Sequence, residues 1–116
     1  MQLKKITIAP INVKAMVHFY NHVFDAQLEP FEALGTTLYS GQLAGIELLF
    51  CPNEILGINA EKNRQQLAFS VGNLEAIIEL VLANHGKLMG EVQVSPEGKA
   101  CGVTDPDGNS IELLQK

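Results

Sequence analysis

The stretch that decides the fold is Asp105–Lys116, DPDGNSIELLQK. Its first five residues predict a tight turn, because proline presets φ, aspartate and asparagine bond to their own backbone, and glycine allows φ > 0. Residues 110–114, SIELL, then alternate with the period of two that a strand requires. The predicted strand therefore carries one ionisable side chain, Glu112, among apolar neighbours.

The same phrase, IELL, occurs at Ile46–Leu49 and places Glu47 in the register of Glu112. A shift of 65 residues superimposes the two phrases, and a shift of 61 residues places Lys5 on Gln66. Such self-similarity indicates an internal repeat. We predict a single domain, 1–116, made of two β-α-β-β-β modules: about 1–51 and about 65–116, joined by a linker at 52–64.

The first module is predicted to begin with a strand and a helix capped by Asn12, followed by a three-stranded meander broken at Gly35 and at 41–45. Its elements are a strand at Leu3–Ala9, a helix ending near Phe24, and strands at Gln27–Phe31, Thr36–Ser40 and Gly45–Cys51.

The second module is predicted to repeat this order, with a helix capped by Asn73 and closed by Gly86 at the position after its end. Its strands are Gln66–Val71, Ala100–Thr104, Ser110–Gln115 and Lys87–Met89, the last with an extension as far as Val94 left open. The predicted fold class is α+β: a curved, mostly antiparallel, eight-stranded half-barrel with helices on its apolar face. Lys5, Glu47, Gln66 and Glu112 would line one crevice shared by the modules.

Composition restricts the classes of partner. Of the 116 residues 47% are hydrophobic, enough for a core, and the net charge of −5 without a Lys/Arg cluster argues against nucleic acid. No apolar run reaches the roughly 18 residues of a membrane span, and the N-terminus lacks the apolar segment of a signal peptide. We therefore expect a cytoplasmic protein in which Cys51 and Cys101 are free thiols.

Three features together resemble a known group of proteins: the paired modules, the phrase DPDGN-x-IEL, and the dipeptide Phe19-Tyr20 in the first helix. They resemble the vicinal oxygen chelate superfamily, which includes glyoxalase I, bleomycin- and fosfomycin-resistance proteins and extradiol dioxygenases. The resemblance covers essentially the whole chain. It implies the half-barrel fold, a small-molecule ligand and a homodimer.

The resemblance also implies a site. Glyoxalase-like members hold a divalent metal with one residue from the first and one from the last strand of each module, and the matching residues here are Lys5, Glu47, Gln66 and Glu112. Both glutamates fit that pattern, whereas Gln66 replaces the usual histidine with a weaker amide ligand. Lys5 is the larger departure, because an ammonium has three donors and no lone pair for a metal. Between two carboxylates it would take the place of the cation.

Two functions follow and remain open at this stage. In the first, the chain binds a small organic molecule in the crevice at a metal-poor site, with Lys5 and Gln66 as donors, Gln66 also as an acceptor, and the glutamates as acceptors. In the second, it is a divalent-metal-dependent lyase, isomerase or dioxygenase. Glu47, Gln66 and Glu112 would then hold Mn²⁺, Mg²⁺, Zn²⁺ or Ni²⁺, and Glu112 would be the proton-shuttling base.

Two further patterns have simpler interpretations. His18 and His22 are spaced i, i+4 on the polar side of the first helix, but without a third ligand in sight the pattern favours a solvated face. Cys51 shares the alternation of Glu47 and is expected either to look into the crevice or to be a small buried hydrophobe.

Overall fold

The computed structural model describes residues 1–57 and 62–116. The chain divides into two compact units, residues 1–61 and residues 62–116. Part of the predicted linker, 58–61, lies outside the described residues. None of the helices in the described ranges combines the length and the apolar character needed to cross a bilayer.

Unit 1 has the predicted order of one strand, one helix and three strands, followed by a short helix. Its elements are β1 (Lys5–Ile8), α1 (Val13–Phe24), β2 (Glu29–Ala33), β3 (Thr36–Leu43), β4 (Ile46–Phe50) and α2 (Asn53–Leu56). The strands form one sheet in the order β1-β4-β3-β2, in which β1 and β4 are parallel and the other pairs are antiparallel.

The apolar side of α1 packs on one face of this sheet. Burial is complete or almost complete for Met16, Phe19 and Tyr20. The ring of Tyr20 packs edge to face on the ring of Phe50 in β4, with 5.8 Å between the ring centroids. Edge-to-face contacts of this kind add to the gain from apolar burial. The predicted amphipathic helix is therefore confirmed, and it fixes which face of the sheet is covered.

The predicted break at 41–45 is wrong in its position. Strand β3 continues through Gly41 to Leu43, and the chain turns only at Ala44 and Gly45, both of which have positive φ. A Cβ at Gly41 would collide with Ala26 O and would lie 2.9 Å from Leu28 N. The glycine thus marks a close approach of backbone inside a strand, not a loop.

Unit 2 repeats the plan with one extra strand. Its elements are β5 (Leu67–Ser70), α3 (Leu74–Ala83), β6 (Lys87–Leu88), β7 (Gln93–Ser95), β8 (Gly98–Thr104) and β9 (Ser110–Gln115). The sheet has the order β5-β9-β8-β6, with β7 also paired to β8, and again the first and last strands, β5 and β9, are parallel. The described residues therefore hold nine strands rather than eight. Strand β7 was not predicted as a separate strand, because all three of its residues are exposed.

The ends of α3 agree with the sequence at one end only. The Asn73 side chain accepts a hydrogen bond from Ala76 N at 3.1 Å, which confirms the predicted cap. At the other end the residue with left-handed backbone is His85, with φ 70°, and not Gly86. Gly86 N still donates to Val81 O at 2.8 Å, so the helix closes with the expected bond one residue away from the predicted position.

Candidate functional site

Lys5 and Glu47 are direct neighbours in unit 1. They are Cα partners in the parallel pair of β1 and β4, so both side chains project from the same face of the sheet. Leu48, the next residue of β4, points the other way and is fully buried under the α1 side. We call the side that carries Lys5 and Glu47 the open face of unit 1. The register alone places a lysine next to a glutamate on that face.

Neither charge of this pair is neutralised by a close partner in the described residues. Within 1–57 and 62–116 the one salt bridge joins Lys99 Nζ to Glu75 Oε1 at 2.7 Å, and the hydrogen bond from Lys99 lowers the pKa of Glu75. Lys5 and Glu47 are both exposed. Their ammonium and carboxylate are therefore available to a ligand.

Glu112 lies on the corresponding face of unit 2, where it is half-buried. Its Cα partners are Ala68 on β5 and Gly102 on β8, so nothing larger than a methyl group flanks it in register. We call this side the open face of unit 2. The side chain that pairs with Glu112, as Lys5 pairs with Glu47, is thus the methyl group of Ala68 and not Gln66.

Gln66 lies just before β5, and its Nε2 donates to Ser110 Oγ at 2.6 Å. Ser110 is two residues before Glu112 on β9, so Gln66 and Glu112 share the open face but are offset along it. Ser110 takes one of the two amide N–H groups, so the Gln66 oxygen and the second N–H are left for a ligand.

Two residues that sequence reasoning missed complete this face. The Ser110 hydroxyl donates to Met89 Sδ at 3.3 Å, and Met89 N donates to Gly102 O at 2.9 Å. A Cβ at Gly102 would lie 3.4 Å from Met89 Cβ, on the side of Glu112. Met89 therefore covers the glycine beside the carboxylate. The signal for it was Gly102, since a glycine inside a strand often marks a close approach.

The predicted turn at 105–109 holds the start of β9, the strand that carries Glu112, in place. Asp105 is only 2% exposed, and its Oδ1 accepts hydrogen bonds from Asp107 N at 3.0 Å and Asn109 N at 2.9 Å. Asn109 in turn accepts from Asn63 N at 2.6 Å. A buried carboxylate that accepts several backbone bonds holds a turn in one conformation.

A separate cavity of about 340 Å³ lies in unit 1 and contains none of the four predicted site residues. Tyr39 and Phe50, which line it, are paired across β3 and β4 and project opposite to Glu47. Cys51 lines the same cavity and is 3% exposed. The predicted small buried side chain at Cys51 is therefore confirmed, and its place in a crevice with Glu47 stays a prediction.

Comparison with known proteins identifies the family. The sequence profile of the Glyoxalase/Bleomycin resistance protein/Dioxygenase superfamily matches residues 2–113. The chain belongs to this superfamily.

Several solved structures have the same fold as this chain. A glyoxalase-related enzyme from Fulvimarina pelagi is similar with a TM-score of 0.78 and 22% identity, over 100% of this chain and 88% of that one. A genomically encoded fosfomycin resistance protein from Listeria monocytogenes has a TM-score of 0.78 and 18% identity, and the match covers 100% of this chain and 91% of that one. Lactoylglutathione lyase from Agrobacterium tumefaciens has a TM-score of 0.70 and 16% identity, and the match covers 98% of this chain and 92% of that one. No curated protein sequence matches significantly.

Members of the superfamily often use a divalent metal, and the residues present here do not fit one well. Lys5 offers no lone pair, and Gln66 is offset from Glu112 along the open face of unit 2. Across the part of the chain that the structure describes, no three His, Cys, Asp or Glu side chains come together as a metal-binding group. Lys5, Glu47, Gln66 and Glu112 are therefore a poor ligand set for a divalent ion.

Proposed function

We propose that the chain binds a small organic molecule through Lys5, Glu47, Gln66 and Glu112 on the open faces of its sheets, without a resident divalent ion. The observation that carries the proposal is the register of β1 and β4, which pairs Lys5 with Glu47 on the same face of the sheet. An ammonium at a position where relatives hold a metal ligand supplies positive charge without a metal.

The four side chains define the chemistry of the ligand. Lys5 can donate hydrogen bonds to an anionic or carbonyl oxygen, whereas Glu47, Glu112 and the Gln66 oxygen can only accept. Met89 adds an adaptable apolar surface beside Glu112. The ligand that fits is a compact molecule with an acidic group near hydroxyl or amine groups.

The binding experiment uses metal-stripped protein and three probes suggested by the names of the family and its relatives: fosfomycin, bleomycin and S-lactoylglutathione. Titration calorimetry compares the native chain with Lys5→Met. Lys4→Met is the matched control, because Lys4 is the exposed neighbour that precedes β1. For a probe bound at the site, the affinity should fall about tenfold or more in Lys5→Met and stay unchanged in Lys4→Met. Equal affinities in both variants would show that Lys5 does not contact the ligand.

A metal titration separates this proposal from the alternative of a metal-dependent lyase with Glu112 as base. Mn²⁺ is the probe, because it prefers oxygen ligands. We expect no tight Mn²⁺ binding by the native chain and a gain in affinity in Lys5→His. About one tightly bound Mn²⁺ per native chain, lost in both Glu47→Gln and Glu112→Gln, would overturn the metal-free site. Turnover abolished by Glu112→Gln without unfolding would then assign the base.

We further propose that the chain forms a homodimer in the cytoplasm, as the family resemblance implies. Light scattering of the purified protein measures the mass directly. The mass of one chain, 12.6 kDa, at all concentrations would contradict the dimer.

A further inference from the structure

Two histidines on α1 form a pair that the proposed function does not use. His18 and His22 are both exposed and lie one helical turn apart, away from the buried Met16, Phe19 and Tyr20. Their ring centroids are 4.0 Å apart, and the ring planes differ by 28°. The i, i+4 spacing brings side chains together on one helical face, and here both rings stand side by side in solvent.

The tautomer of the neutral His22 ring follows from its contact with the helix backbone. His22 Nδ1 is 2.7 Å from His18 O, and because a carbonyl oxygen can only accept, Nδ1 carries the proton. The lone pair of the neutral ring is then on Nε2, which projects away from the backbone. Histidines that bind metals almost always have their second ring nitrogen held in this way.

The distance between the rings suits one ion. A metal–nitrogen bond of about 2.0–2.1 Å lets a single ion bridge nitrogens up to about 4 Å apart. The ring centroids are 4.0 Å apart, and because the rings are stacked, they must turn about their side-chain torsions before one nitrogen of each meets a common ion. Lys14 lies one turn before His18 and opposes a cation, but it is exposed and its charge is screened by water.

We propose that His18 and His22 form a chelating site on α1 for one borderline-soft divalent ion, Cu²⁺, Ni²⁺ or Zn²⁺, with water at the remaining positions. Imidazole is the ligand these ions share, and Cu²⁺ binds most tightly in the usual order of stability. The sequence pattern alone favoured a solvated face; the stacked rings and the hydrogen bond of His22 Nδ1 add what the spacing could not show. The site is independent of Lys5, Glu47, Gln66 and Glu112.

The test is a calorimetric titration of the full chain with CuCl₂, NiCl₂ and ZnCl₂. We expect one ion per chain with micromolar affinity, strongest for Cu²⁺, and a loss of about tenfold or more in both His18→Ala and His22→Ala. His85→Ala is the matched control, because His85 is the third histidine, is also exposed, and lies in unit 2. It should bind as the native chain does. Alanine favours helix, so the α1 variants should keep their circular dichroism.

Three results would overturn the proposed site at His18 and His22. No binding by the native chain at millimolar concentration would show that the pair does not chelate. Affinity retained in either α1 variant would show that a single histidine suffices. Loss of binding in Glu47→Gln or Glu112→Gln, with His18→Ala unaffected, would place the ion on an open face; this outcome would contradict the metal-free proposal as well, and the two failures are thereby distinguished.

Discussion

Gly41 shows how much one residue decides in unit 1. The chain after α1 returns close to β3, where Gln42 N donates to Ala26 O at 2.8 Å. Gly41 faces this backbone, and any Cβ there would meet Ala26 O and Leu28 N. Backbone atoms held by a sheet and by hydrogen bonds have little room to move aside.

We therefore predict that Gly41→Ala destabilises the protein by about 1–3 kcal/mol, the cost of overpacking a close contact. Gly72→Ala is the matched control, because no atom lies within 4 Å of its Cβ position and its φ is not positive. It should be neutral or slightly stabilising. Urea unfolding of the three proteins gives the free energies, and equal stability of both variants would contradict the collision at Gly41.

Cys101 gives a prediction that depends on pH. It is 3% exposed, and burial raises the pKa of its thiol above the usual value. Because the thiolate is the reactive form, a raised pKa means less thiolate at any given pH and slower alkylation. Iodoacetamide labelling, followed by mass spectrometry of the Cys101 peptide, should be slow at pH 8 in the native chain and fast in urea. Rapid labelling of the folded protein at pH 8 would contradict the burial.

At the scale of elements, the two helix caps differ although the sequence treats them alike. Asn73 bonds Ala76 N at the start of α3, whereas Asn12 holds the N-cap position of α1 without a side-chain capping bond. The difference is conformational: Asn73 is extended, with φ −140° and ψ 98°, while Asn12 has φ −93° and ψ 76°. An N-cap residue needs backbone angles that turn its oxygen towards the helix, and residue type does not specify them.

We predict that Asn73→Ala costs about 1 kcal/mol, because one N–H of the first turn loses its acceptor. Asn73→Asp keeps the acceptor and adds a negative charge at the positive end of the helix dipole, so it should retain or exceed native stability. Thermal unfolding of the three proteins measures the order. Equal losses in both variants would mean that the capping bond contributes nothing.

The sequence predicted the local features of the site but not those that depend on how strands pair. Alternation within 110–114 placed Glu112 on one face of its strand, and the turn at 105–109 was evident from its residues alone. The pairing between strands could not be predicted from the sequence, because it depends on the register of β5 against β9. The repeat therefore aligned Lys5 with Gln66, although Ala68 is the Cα partner of Glu112. Ser110 and Met89 were missed for the same reason.

At the scale of the whole molecule, the repeat predicted each unit well, since hydrophobic alternation and helical spacing are local signals. In both units the first and last strands are parallel neighbours. The sequence shows the order of the strands along the chain but not which strands pair in the sheet. The shared crevice remains a prediction. Stability should come from apolar cores within the units: Leu48 and Phe19 in unit 1, Val81 and Leu113 in unit 2, all fully buried.

This distribution of buried surface leads to a prediction about metal removal. Structural metals supply much of the folding free energy in proteins that depend on them. Here Lys5, Glu47 and Gln66 are exposed and Glu112 is half-buried, so no part of the cores rests on these side chains. We expect excess EDTA to leave the unfolding midpoint unchanged within about 2 °C, since a change of 1 kcal/mol would shift it by several degrees at this chain length. Calorimetry before and after chelation measures the midpoint, and the His18→Ala variant is the control for ions held on α1. A fall of several degrees in both proteins would show that an ion at the open faces stabilises the fold, against the metal-free site.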